Sequence, residues 1–213
     1  MAQPVTDEGA ESKSARTRKR ILDAAAYILS RKGYAGTRLS EVAELAELQA
    51  PAIYYYFASR DDVVEEVMWS GIADMRAHVS EALDTLPAST SPLARIMVAV
   101  EAHLRHELEI SDYTTASIRN AAQVPEKIRT RQVAEEIAYG TVWKKLFKDA
   151  AEAGALAEHL DLGAARMLIL GALNWAAEWW TPEAGPLDAV VRAAQTMVIS
   201  GLGPGGNPSP LDV

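Results

Sequence analysis

The stretch "GTRLSEVAELAELQAPAIYYYFASRDD", Gly36 to Asp62, decides how this chain is read. Thr37 is placed to cap a short helix that Glu41 opens, with Leu39, Val42, Ala43 and Ala46 on one side. A few residues later a second short helix is expected from about Ala50 to Phe57, and "ASRDD" ends it. Two short helices joined tightly, the second rich in outward side chains, suggest a helix-turn-helix, whose second helix enters the DNA major groove. Four consecutive aromatics, Tyr54 to Phe57, sharpen that reading. Neighbours on a helix point about 100° apart, so they cannot share one face. With Ile53 set inward, Phe57 and Tyr56 fall on the core side, while Tyr54 and Tyr55 look away. A phenolic hydroxyl that looks away can donate to a phosphate.

The 213 residues suffice for one large or two small domains, and 49% hydrophobic content supplies a core. Net charge is −8, which taken alone argues against nucleic acid. The distribution reverses that. Residues 1–60 carry nine Lys/Arg and seven Asp/Glu, whereas residues 61–213 carry twelve and twenty-two. Lys13, Arg16, Arg18, Lys19 and Arg20 crowd together, giving a basic head on an acidic body. Cysteine is absent, which excludes disulfide scaffolds and thiolate metal sites and suits a reducing, cytoplasmic setting. No apolar run is long enough to span a membrane, and the polar N-terminus lacks the apolar centre of a signal peptide.

Nearly every segment has helical periodicity. Ile21, Leu22, Ala25, Ile28 and Leu29 mark a first helix, stopped by Gly33. Ser59 caps a long helix lined by Val63, Val64, Val67, Met68, Ile72, Met75, Val79 and Leu83. Ser91 and Pro92 open a helix with Ile96, Met97, Val100 and Leu104 in register. Further helices are expected near Asp112, from Pro125 to Gly154, from Asp161 to Trp180, and from Leu187 to Leu202. The expected fold is all-α, with about nine helices. A helix-turn-helix domain is expected over 14–60 (motif about 37–56) and a larger helical domain over 61–202. Residues 1–12 and 203–213 are expected to be disordered.

The segment "TRKRILDAAAYILSRKGYAGTRLSEVAELAELQAPAIYYYFASRDDVVEEV" resembles the DNA-binding domain of the TetR family of bacterial repressors. The resemblance rests on ILDAA, Gly33 four residues before Thr37, I-Y-Y-Y-F closing the third helix and S-R-D-D opening the fourth. It implies a palindromic double-stranded DNA operator, a small-molecule effector and a homodimer made through the last two helices. It also supports phosphate contact by Tyr54 and Tyr55. Arg18, Thr37, Arg38 and Arg60 are further phosphate candidates, and the basic run Arg16–Arg20 is a candidate backbone or minor-groove arm. Gln49 can pair with an adenine, while Ala50, Pro51 and Ala52 offer only apolar contact, for example to thymine methyls. Family members usually have Gly where Glu47 stands, because that turn position favours positive φ.

In the body, "RMLILGALNWAAEWW", Arg166 to Trp180, is apolar almost all round, so it is buried on most sides. Gly171 and Trp179, with Val190, Ala194, Met197 and Gly201 of the last helix, are the expected dimer surface. His103, His106, Arg119, Trp143, Phe147, Met167, Asn174 and Trp175 are the candidate effector-binding residues. The run "NWAAEWWTPEAGPL" is similar to TetR-type repressors of steroid and fatty-acid breakdown that answer to acyl-CoA thioesters. That similarity points to an apolar effector, an acyl-CoA or another lipid-like metabolite.

An enzyme is the rival reading, since His103 and His106 with Glu107 nearby have the spacing of metal ligands. No histidine has Glu three residues before it, and no nucleophile elbow, phosphate loop or dinucleotide fingerprint occurs. No catalytic residue, metal or cofactor is therefore expected. A second rival is a DNA-binding protein without an effector, whose body serves only dimerisation.

Overall fold

The computed structural model describes residues 12–203, and among them there are helices and turns but no strand. Helix α1, Lys13–Gly36, is capped by Ser12, whose Oγ accepts from the Ala15 N–H at 3.1 Å. The regular helix ends at Gly33, where φ is +70°. Residues 16–20 are thus helical, so they form no extended arm able to enter a minor groove. The terminal segments expected to be disordered lie almost wholly outside the described residues.

Helix α2, Leu39–Leu45, ends in a turn held by two bonds, Glu47 N–H to Glu44 O at 3.0 Å and Leu48 N–H to Ala43 O at 2.8 Å. This closure requires a left-handed residue just beyond the helix. Glu47 takes that conformation, at φ 54°. The Arg20 guanidinium donates to the Ala46 carbonyl and lies 3.5 Å from the Glu47 carboxylate, bracing the turn.

Helix α3, Ala50–Ile53, is shorter than periodicity suggests. Its chain continues through i→i+3 bonds, Tyr54 N–H to Pro51 O, Tyr55 N–H to Ala52 O and Tyr56 N–H to Ile53 O. The tyrosines therefore occupy a tight turn, while Ile53 and Phe57 reach the core.

Helix α4, Arg60–Asp84, is capped by Ser59 and runs about 37 Å. Its two halves serve two cores. Val63, Val64, Val67 and Met68 pack with Ile21, Leu29, Val42 and Ile53 of the head. Ile72, Met75, Val79 and Leu83 pack into the body with Ile96, Val100, Trp143 and Phe147. Helix α5 is Pro92–Arg105 and widens into a π-helical turn over His106–Ile110. Helix α6, Asp112–Asn120, then crosses both α1 and α4, and its Ala116 joins the head's core.

The segment after Pro125 begins as a 3₁₀ turn, Glu126–Ile128, before helix α7, Thr130–Glu152. The expected helix Asp161–Trp180 is split into α8, Leu162–Asn174, and α9, Ala176–Trp179, by Trp175. Helix α10 is Leu187–Leu202. Helices α8 and α10 lie over α5, and α8 also meets α7.

Candidate nucleic-acid interface and effector site

The outer surface of α3 and its following turn consists of Gln49, Pro51, Tyr54 and Tyr55, all exposed, with Ala50 and Ala52 half-buried between them. Tyr55 is 83% exposed and Tyr54 60%, so both hydroxyls are free to meet a partner outside the head. Tyr56, half-buried, sets its ring edge-on to that of Tyr55 at 5.1 Å between centroids. Beside this surface Arg38, the residue just before α2, is exposed in extended backbone.

Three other expected phosphate contacts are placed differently. Thr37 is 2% exposed and its hydroxyl donates back to Gly33 O at 2.9 Å, closing the end of α1 rather than capping α2. Arg60 folds over the Tyr34 ring at 4.2 Å and donates to the Tyr34 carbonyl. Arg18 turns toward α4, 3.2 Å from Glu66 and 4.9 Å from the Phe57 ring centre. Burial pushes the Glu66 carboxyl up, but the guanidiniums of Arg131 and Arg18 outweigh it and hold its pKa low. In each case the side chain reaches an intramolecular acceptor, which its position in the sequence does not reveal.

The body holds a second concentration of polar groups, this one inside the core. His103 and His106 of α5 and its π-turn, Glu107, and Tyr139 and Trp143 of α7 come together, each at most 8% exposed. His103 Nδ1 lies 2.8 Å from the Tyr139 hydroxyl, and its Nε2 lies 3.4 Å from Glu107 Oε2 without good alignment. His78 of α4 stacks on His106, with centroids 4.9 Å apart. Burial pushes the Glu107 carboxyl up, and it drives His106 down to about 4, helped by the neighbouring imidazoles. Both therefore favour the neutral form. No cluster of three or more His, Asp or Glu able to hold a metal occurs among the described residues.

The expected effector set is divided by this arrangement. His103, His106, Trp143 and Phe147 lie in the body's core. Arg119 does not reach them. Its guanidinium donates to Glu178 at 2.7 Å, to Ser30 O of α1 at 3.0 Å and to the Ala177 carbonyl. Asn174 is half-buried at the end of α8. Met167 and Trp175 are exposed, because they point from the side of α8 that turns away from α5 and α7. Trp175 instead joins Trp179, Val190, Ala194, Met197 and Gly201 along an apolar groove of about 740 Å³ between α8 and α10. Gly171 stands on an open face of α8, with nothing near the position a Cβ would take.

Two segments of the chain match known families. Residues 21–67 match the bacterial regulatory proteins of the tetR family, and residues 89–202 match the tetracyclin repressor-like C-terminal domain. The chain belongs to the TetR family. Among curated relatives of this TetR protein, the fatty acid metabolism regulator protein of Bacillus subtilis is 21% identical, covering 85% of this chain and 93% of its own. The transcriptional repressor KstR2 of Mycolicibacterium smegmatis is 23% identical, covering 88% and 90%. The solved structure of AibR with isovaleryl coenzyme A and operator DNA superposes with a TM-score of 0.76 at 20% identity, covering 88% and 98%. That likeness shows the fold. The TetR protein is thus a regulatory protein with a helix-turn-helix head and a tetracyclin repressor-like C-terminal domain.

Two residues of this TetR protein were not singled out from its sequence, Tyr139 and Asn120. Tyr139 lies one helical turn before Trp143, a spacing that was available as a signal. Asn120 carried none. Its amide accepts from Tyr34 N–H at 2.8 Å and donates to Leu29 O and Ala116 O, clamping the end of α1 from α6.

Proposed function

We propose that the protein is a cytoplasmic, homodimeric repressor that grips a palindromic operator through α3 and releases it when a small, largely apolar effector enters the body. The observation that carries this reading is the outward face of α3. Tyr54 and Tyr55 stand clear of the head while Ile53 and Phe57 anchor it. Aromatics so exposed on a polar head call for a partner, and phosphates with sugar edges meet both ring and hydroxyl. Gln49 and the apolar Ala50, Pro51 and Ala52 supply base contacts, so thymine methyls and DNA shape carry much of the selection. Arg38 adds a phosphate contact beside them.

The dimer is supported by α8. It is apolar nearly throughout, yet within one chain it buries only Leu173. Met167, Leu168, Trp175, Trp179 and Met197 remain exposed around the α8/α10 groove. A surface of this kind matches a two-fold symmetric partner, and two-fold symmetry matches a palindrome.

The effector lodges in the body beside the buried histidines, between α4, α5 and α7. The isovaleryl coenzyme A of the AibR structure favours an acyl-CoA or another lipid-like metabolite for this chain as well. Helix α4 links the sites, beginning beside the DNA at Arg60 and lining the body's core at Met75 and Val79. Effector binding favours a head spacing that no longer fits the operator. Nothing in this role requires catalysis or a cofactor.

Footprinting on the DNA flanking the protein's own gene tests the reading. A protected, two-fold symmetric site is expected, and protection of no site at any concentration would refute it.

A further inference from the structure

Six polar atoms of the body's core lack a well-aligned hydrogen-bond partner in the protein: His103 Nε2 and Glu107 Oε2, which face each other at 3.4 Å, both His106 nitrogens, Glu107 Oε1, and Trp143 Nε1, whose one neighbouring acceptor is the Tyr139 hydroxyl that His103 already engages. Their residues are 1%, 5%, 2% and 0% exposed, respectively. Leaving one such group unpaired is costly, and native cores hold few of them. Here they share one place. It coincides with the π-helical turn His106–Ile110, a local irregularity frequent at functional sites. Trp143 packs among apolar side chains of the body's core, Met75, Leu104 and Phe147 among them.

The chemistry of the six atoms restricts what can satisfy them. The indole N–H of Trp143 can only donate, so its partner must bring an acceptor. An ammonium, which only donates, does not meet it, and neither does a hydrocarbon. A carboxylate brings acceptors but also a charge, and Glu107 would stand beside it. The nearest arginine of α6, Arg119, is engaged by Glu178, Ser30 O and Ala177 O. Its charge is felt at Glu107 but is already offset by Glu178, so a buried anion would gain little from it. A neutral oxygen fits on every count. It accepts from Trp143, and from the O–H of a protonated Glu107 or an N–H of His106.

We propose that His103, His106, Glu107 and Trp143 form the seat for a neutral oxygen attached to the effector's apolar chain: the carbonyl or hydroxyl of a ketone, alcohol, ester or thioester, but not a free carboxylate or an amine. This rests on the effector-binding reading above and deepens it. A thioester carbonyl and a free ketone or alcohol share this chemistry, and the probes must separate them.

The test uses five ten-carbon probes with the full-length dimer: 2-decanone, decanol, decanoyl-CoA, decanoate and decylamine. Binding is followed by melting temperature and by titration of tryptophan fluorescence. We expect at least one of the first three to bind at least tenfold tighter than decanoate and decylamine. We expect Trp143→Phe and Glu107→Leu to weaken that probe at least tenfold. Tighter binding of decanoyl-CoA identifies the thioester as source, and tighter binding of the ketone or alcohol identifies the free compound. Decanoate or decylamine binding as tightly as the first three would overturn the proposal, as would binding of none or indifference to both variants.

A second measurement needs no ligand. Groups kept for a ligand at the expense of the fold should be replaceable to advantage. His106→Leu is expected to raise the melting temperature by 2 °C or more while weakening the probe. A fall in melting temperature in both His106→Leu and Glu107→Leu would mean that these groups are bonded within the protein, and would overturn the proposal. Failure here leaves the operator footprint intact, so it is separable from failure of the repressor reading.

Discussion

Glu47 shows how one residue can depart from its family and still be accommodated. Its φ of 54° costs an L-residue about 1 kcal/mol, because Cβ crowds the following carbonyl. The two-bond closure of α2 and the Arg20 guanidinium hold it there. Glu47→Gly removes the strain but adds freedom to the unfolded chain. A net gain of at most about 0.5 kcal/mol is expected, read as a rise in melting temperature of about 1–2 °C. The exposed Arg20–Glu47 pair offsets little of this. Tyr55 belongs to the same scale. Tyr55→Phe removes one hydroxyl donor and is expected to weaken operator binding about five- to tenfold. The dependence of affinity on salt should stay as it is, because no charge is lost. Arg38→Ala, in contrast, removes two cations from the dimer and should lower the salt slope by about two in fluorescence-anisotropy titrations.

His106 is held neutral by burial, with a pKa near 4 against an ordinary value near 6.5. Between these values the unfolded chain takes up a proton that the folded chain refuses. Its contribution to stability is therefore present above about pH 6.5 and is lost as pH falls toward 4. Glu107 acts in the opposite sense, since its raised pKa favours the folded state as pH falls. Thermal melts of His106→Leu should show a shallower loss between pH 6.5 and 4 than the parent protein.

At the scale of elements, α4 and α6 behave as one piece. A Cβ on Gly71 would stand 2.3 Å from the Tyr113 carbonyl oxygen and from Ser117 Oγ, so only glycine permits the crossing. Ser117 Oγ donates to Met68 O at 2.7 Å, and Thr114 Oγ1 donates to Gly71 O at 3.0 Å. Gly71→Ala must push backbone against backbone and is expected to cost about 3 kcal/mol or more in denaturant melts. Asn120 and Arg119 continue the same connection into α1. An α4 shift communicated to the head thus involves α6, which sequence periodicity alone could not connect to either helix. Periodicity fixed where α4, α5 and α10 lie, because their caps and apolar repeats are local. It overran α3 and merged α8 with α9, because the tight turns at Tyr54–Tyr56 and Trp175 keep the surrounding apolar pattern.

At the scale of the whole molecule, the exposed faces of α8 and α10 predict the assembly. Leu168 and Met197 are 75% and 73% exposed. The pair Leu168→Glu and Met197→Glu is expected to leave the fold intact and to yield a monomer in sedimentation velocity. That monomer should lose most operator affinity, since one head then meets one half-site. A parent dimer that sets both Arg38 side chains on phosphates should show a log–log salt slope of about −2 or steeper. A slope near −1 would contradict the interface.

The sequence by itself determined the helical fold, the helix-turn-helix and the outward turn of Tyr54 and Tyr55. Each of these depends on spacing, capping and steric rules that act within a few residues. Only the tertiary structure decided which cations were left for DNA and which groups met inside the body. Arg18, Arg60 and Arg119 are drawn to partners from 26 to 89 residues away. His103 meets Tyr139 across 36 residues, and Trp175 turns from the core to the groove once α8 settles on α5 and α7. Those choices follow from packing and from short-range electrostatics between distant segments, and the chain makes them only when it folds.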